Sequence, residues 1–254
     1  RQRQMCIRDS DRLFSLSNIL MIFILALVIY LFFKAEKNSS RPILPLGLLR
    51  QPYYWIAVST AAISFAVLFT VLVLIPFYLE YIFGMETYRV GRVMMAVPAT
   101  LIVLSPLSGY LYDKIGARYL TTIGLLLSAT SLLSLAWLSQ DSSVIEIALK
   151  LALLGAGQSV FLSPNSASVL SQVDAQYVST SAGILATARN FGMVAGATLA
   201  AALFGWWFGF YTGGRELADY SAADSAGFML AMRTTFGFTA VIAFLGCFLS
   251  SRRG

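Results

Sequence analysis

The sequence predicts an all-α membrane protein of about seven transmembrane helices, and three observations carry that expectation. Hydrophobic residues make up 58% of the chain and charged residues 12%, with a mean hydropathy of +0.75, whereas soluble domains typically hold about 45–50% apolar residues. Apolar runs of about twenty residues, the length that crosses a hydrocarbon core, recur along the chain. Charges gather in the short segments between those runs. The net charge of +6 does not point to nucleic acid, because Lys and Arg sit at the ends of apolar runs rather than in a basic stripe interleaved with aromatics.

Residues 1–12 show no apolar period, and we expect a non-native or disordered tail there, with the first ten residues or so a junction rather than native sequence. Residues 13–33 read as an extra transmembrane helix and 34–54 as a cytoplasmic basic loop, broken by Pro42 and Pro45. Residues 55–254 hold six further spans, expected at 55–78, 91–111, 120–138, 145–169, 178–207 and 233–249. Pro98 and Pro106 lie in the second of these and Pro164 in the fourth. Proline within a span frees a backbone carbonyl, which is tolerated where another helix or an aqueous cavity satisfies it.

Alternating sides can be tested against the excess of positive charge in cytoplasmic loops. Lys34, Lys37, Arg41, Arg50, Lys114, Arg118, Arg252 and Arg253 share one side, while Arg89, Arg92, Lys150, Arg215 and Arg233 fall on or near the other. The larger group marks the cytoplasmic face. Counting Arg1, Arg3, Arg8 and Arg12 would erase the bias, which is why the tail is read as foreign.

One loop is more specific. Gly109-Tyr-Leu-Tyr-Asp113-Lys114-Ile-Gly116-Ala-Arg118 joins two uncharged runs; its glycines permit a tight turn, Asp113 can accept N–H bonds from the next helix, and Lys114 and Arg118 can meet lipid phosphates or Asp113. The bland alternative is a generic basic hairpin. The spacing resembles the major facilitator superfamily signature Gly-x-Leu-x-Asp-Arg-x-Gly-Arg-Lys, with Ala117 where a second basic residue is common. By that resemblance Gly109, Asp113, Lys114, Gly116 and Arg118 form a cytoplasmic latch. The last six spans then resemble the carboxy-terminal six-helix bundle of the major facilitator fold.

A second signal lies further along the chain. Gly155, Gly157, Gln158, Pro164, Asn165, Gly183, Arg189, Asn190, Gly192 and Gly196 resemble the pattern of fourteen-span drug:proton antiporters, as does the Glu36…Pro42-Ile-Leu-Pro45…Arg50 segment. Gly192 and Gly196 make a small-x-x-x-small face of the kind that lets helices approach closely; we read them, with Gly155 and Gly157, as packing residues. Gln158, Asn165, Arg189 and Asn190 are cavity candidates in spans that the family's arrangement lines toward the substrate, 120–138 and 233–249 facing lipid instead. Arg189 lies about 16 Å along its helix, at mid-membrane, where an arginine costs roughly 2.5–3.5 kcal/mol and should face a cavity or a partner. A transport role and a purely hydrogen-bonding role both remain open for it.

The resemblance implies proton-coupled efflux of amphipathic drugs or small organic molecules across a bacterial cell membrane. The partners it implies are a small-molecule substrate, protons, the lipid bilayer and a missing amino-terminal half, without nucleic acid. An exporter of one metabolite, lipid or siderophore is the nearest alternative. A seven-helix receptor is the alternative of another class, though no soluble output domain or obvious chromophore lysine accompanies the spans. With no His and only Cys6 and Cys247, neither a Cys/His metal site nor a disulfide framework is expected. No cofactor motif or convergent acid/base set suggests an enzyme.

Overall fold

The computed structural model describes residues 51–253, together with scattered helical positions between 20 and 34. The tail at 1–12, most of the span at 13–33 and most of the loop at 34–54 lie outside the described residues. The chain divides into two units, Arg1–Leu46 and Gly47–Gly254. Among the described residues, six helical segments are long and apolar enough to cross a membrane, all of them in the second unit, and no strand is present.

Helix α1 (Pro52–Tyr81) opens on proline, whose missing N–H costs nothing in the first turn. Helices α2 (Thr87–Met94) and α3 (Ala96–Ile115) together make the second span, broken at Met95. Pro98 accounts for the break, since it cannot donate to the carbonyl of Met94. Only Gly116 separates α3 from α4 (Ala117–Ala136); its φ of +78° lies in the left-handed region, where a side chain would be strained. Helix α5 (Val144–Ser171) is capped by Ser143, whose hydroxyl accepts from the Glu146 N–H at 3.1 Å. Glu146 also pairs with Lys150 at 2.6 Å, one turn along the same helix. Helix α6 (Val178–Tyr211) comes after a short 3-10 turn.

Helix α7 (Ser225–Ser251) starts well before the expected residue 233. Just before it, a 3-10 turn (Ala222–Asp224) carries a reciprocal cap: the Asp224 carboxylate accepts from the Ser221 N–H and hydroxyl at 3.0 and 2.6 Å, and the Ser221 side chain accepts from the Asp224 N–H. The Arg215 guanidinium donates to both Asp224 carboxylate oxygens at 2.9 Å. Arg233, expected at the edge of the span, instead lies within the helix and donates to the Ala136 carbonyl at the end of α4, 3.1 Å away.

Small residues set the helix crossings, because without water between apolar helices van der Waals fit decides association. Helix α1 lies against α6 where Ala62 meets Gly192 and Ala66 meets Gly196. Gly124 and Gly157 make the crossing of α4 and α5: a Cβ on Gly157 would fall 2.6 Å from Ser128 Oγ. Gly155 admits α3, a Cβ there falling 2.5 Å from the Val97 carbonyl oxygen. Helix α7 closes against α1 and α4 through Gly246 beside Ile63 and a hydroxyl contact of 2.9 Å between Thr121 and Ser250. Near the non-basic end, Phe204, Phe208 and Phe228 stack edge and face into the core, with Phe204 and Phe228 centroids 4.9 Å apart.

The large exposed apolar faces include those of α3 and α6. Ile102 and Val103 on α3 are 70% and 72% exposed, and Phe191 and Val194 on α6 are 70% and 67% exposed. Helix α4 is the most buried of the six spans within the bundle, held between α5 and α7.

Candidate functional site

Among the polar groups of the bundle, two layers are each centred on an arginine that three helices surround. The first surrounds Arg189, about a third of the way along α6. Its guanidinium reaches across to α5, donating through Nη2 to Ser166 Oγ at 2.6 Å, and lies 5.7 Å from the ring centroid of Phe65 on α1. Three helices thus meet at one half-buried cation. Its Nε has no hydrogen-bond partner, and no carboxylate pairs with it among the described residues. Such a group has donor capacity to spare for a ligand acceptor, and its charge is partly compensated by the ring face. Asn190 beside it is exposed.

Gln158 and Asn165 occupy a different environment. Gln158 is 1% exposed and locks α5 to α1, its Oε1 accepting from the Ser64 hydroxyl at 2.8 Å while its Nε2 donates to the Ser64 carbonyl at 3.1 Å. Asn165 is fully buried and donates to the Ala57 carbonyl at 3.2 Å. Both satisfy their amides inside the protein, as a buried amide must. Replacing Gln158 by Leu should lower thermal stability by about 1 kcal/mol, the scale of polar contacts between spans. Because the two side chains share one clamp, adding Ser64→Ala should cost less than the two single effects combined. Thermal unfolding of the three variants in detergent checks this; strict additivity would mean that the two residues do not act together.

The second layer lies at the basic end. Arg253, just beyond α7, folds back under the bundle and is 1% exposed. Its Nη1 donates to Asn165 Oδ1 at 2.6 Å, its Nη2 to Ser168 Oγ at 3.3 Å, and its guanidinium sits 4.4 Å from the Tyr53 ring centroid. Burial lowers its pKa from the ordinary value, and Tyr53 works against that shift. One buried arginine therefore joins the start of α1, the end of α5 and the end of α7.

The signature loop borders this layer. Asp113 is exposed and forms no ion pair among the described residues, nor does its side chain cap α4. Arg118 turns the other way, its Nε donating to the Ser251 carbonyl at 2.9 Å and so holding the end of α7. Lys114 lies 4.5 Å from the Tyr110 ring centroid, and Gly109 has open space where a Cβ would stand. Arg253 was visible in the sequence only as one of two terminal arginines marking a side. Nothing there distinguishes it from exposed Arg252, and Ser64, Ser166 and Ser168 are equally unmarked.

Comparison with known proteins gives consistent matches. The profile of the Major Facilitator Superfamily matches residues 13–197. The chain is 31% identical over 188 residues to the uncharacterized transporter YebQ of Escherichia coli (strain K12), covering 74% of this chain and 41% of that protein. It is 28% identical over 177 residues to the riboflavin transporter RibZ of Clostridioides difficile, covering 70% and 37% of the two chains. The multidrug resistance protein Stp of Mycobacterium tuberculosis is 29% identical over 193 residues, 76% of this chain and 36% of Stp. The matched region therefore spans about two fifths of the length of these relatives.

Proposed function

We propose, from the premise that this chain belongs to the Major Facilitator Superfamily and is a multi-pass protein of the cell membrane, that it forms the carboxy-terminal bundle of a proton-coupled exporter of amphipathic small organic molecules. The observation that carries this reading is Arg189. A cation kept at mid-membrane with an unused donor is costly unless a cavity or ligand meets it, and a substrate path between two bundles supplies both. The bare faces of α3 and α6 are where an amino-terminal bundle would close that path. The loop from Gly109 to Arg118 would act as the gate at the cytoplasmic end, Asp113 being free to take a partner when the bundles rock. The multidrug resistance protein among its relatives supports several drugs, rather than one compound, as substrates.

A second reading, export of a single metabolite, is favoured by the riboflavin transporter among the relatives. Efflux-deficient bacteria expressing the gene that encodes this chain, or this chain alone, provide the test. The expected result is lower accumulation of several unrelated amphipathic dyes in cells with the whole gene, reversed by a proton uncoupler and absent with this chain alone. Export of riboflavin or one other compound, unaffected by an excess of the dyes, would favour the second reading. Export by this chain alone would defeat the need for a partner bundle.

A further inference from the structure

We propose that the pocket beneath the turn at 112–119 binds a singly charged phosphodiester, that of an anionic lipid headgroup in the cytoplasmic leaflet. The pocket has a volume of about 500 Å³, and its walls include Tyr53, Tyr112, Gly116, Arg118, Ser168 and Arg253. Arg253 is the built element. It is almost wholly buried, its Nε has no partner, and its guanidinium meets neutral groups, Asn165 Oδ1, Ser168 Oγ and the Tyr53 side chain. A buried guanidinium without a carboxylate is expensive, and among the described residues no carboxylate pairs with it. An anion entering the pocket would supply the missing charge.

Two further features point the same way. The first turn of α4 begins at Gly116, which has no side chain to cap it, so its free N–H groups and the positive end of a twenty-residue helix face this region. Charge complementarity then selects the ligand. Two guanidinium groups, Arg118 and Arg253, stand against one carboxylate, Asp113, at the wall. The balance suits a single negative charge, as a phosphodiester carries, better than a doubly charged phosphate monoester.

Position argues for a lipid as the source. The pocket lies where α3 ends and α4 begins, at the water interface that the basic loops assign to the cytoplasm. Ile115 and Tyr119 on its wall are exposed, giving apolar surface beside the charged seat, as the junction of headgroup and acyl chain requires. Lys114 and Arg252, both exposed, add positive charge nearby.

Native mass spectrometry of the full chain in detergent tests the assignment, with dioleoylphosphatidylglycerol, dioleoylphosphatidylcholine and inorganic phosphate as separate probes. The expected result is one retained phosphatidylglycerol, held about tenfold more strongly than phosphatidylcholine, and lost by about tenfold in Arg253→Gln, in keeping with the strength of charge-assisted bonds. Should Arg253→Gln fail to fold, Arg118→Gln is expected to weaken retention where Arg118→Lys keeps it. Equal retention of the two lipids, or retention unchanged in every variant that folds, overturns the site. Binding of inorganic phosphate that competes with phosphatidylglycerol overturns the lipid as source.

Discussion

Gly192→Val is expected to leave almost no folded protein. The position is a contact between two backbones: a Cβ on Gly192 would run into the carbonyl oxygen of Ala62 and come 2.9 Å from its Cα. One turn along, a Cβ on Gly196 would lie 2.5 Å from the Ala66 Cα. No flexible side-chain tip stands in the way that could move aside. The larger residue must push α1 and α6 apart, and these are the two longest helices, of 30 and 34 residues. Separation would also break the 3.4 Å bond from Thr70 Oγ1 to the Gly196 carbonyl and open the packing that seats Arg189. Overpacking in a well-filled core costs about 1–3 kcal/mol, occasionally more, and here the strain falls on the main pairing of the bundle. Gel filtration of detergent extracts should show loss of the monodisperse peak for Gly192→Val. Gly205→Ala, on the same helix with nothing within 4 Å of its Cβ position, should elute as the parent does. A normal peak for Gly192→Val would mean that the two helices do not pack this closely.

Arg189→Ala, in the gene that encodes this chain, is expected to lower export at least tenfold while membrane abundance stays within a factor of two. The two effects separate because the interactions differ in size. Losing the bond to Ser166 should cost about 1 kcal/mol of stability, and removing an arginine from mid-membrane recovers roughly 2.5–3.5 kcal/mol on insertion scales. The folded protein should therefore persist. What disappears is a half-buried cation within a span, with a donor to spare. Arg189→Lys keeps the charge but not the planar fork, and should recover part of the export. Dye accumulation measured against immunoblotted membranes checks both numbers; unchanged export by Arg189→Ala would reduce the residue to a packing role.

Apolar runs could be read from the sequence because a bilayer sets their length: the six expected between 55 and 254 each have a helical counterpart among the described residues, while the one at 13–33 lies mostly outside them. The start of α7 could not. Arg233 interrupts an apolar stretch and looks like an end, yet its side chain reaches the Ala136 carbonyl, and the true start depends on Asp224 meeting both Ser221 and Arg215. The direction in which each polar residue points was equally hidden. In a soluble helix, one apolar face betrays the interior. In a span, lipid and protein core accept the same side chains, so nothing local tells that Gln158 and Asn165 turn inward to α1 while Asn190 turns out. The loop shows the same limit, since the spacing of Asp113 and Arg118 suggests that they meet, whereas Arg118 has a carbonyl of α7 to hold.

The seat of Arg253 bears on how the protein is made. Tyr53, Asn165 and Ser168 leave the ribosome long before the guanidinium that binds them. With about 200 residues between Tyr53 and Arg253, synthesis at about 5–20 residues per second puts the delay at about 10–40 s. Helix α1 likewise waits for α6, its main neighbour, so a growing chain holds an open small-residue groove until α6 follows, and an incomplete polar seat at its basic end until Arg253 does. Insertion of the early spans and closure of the bundle are therefore separate events in time, and the nascent chain is most exposed to membrane quality control between them.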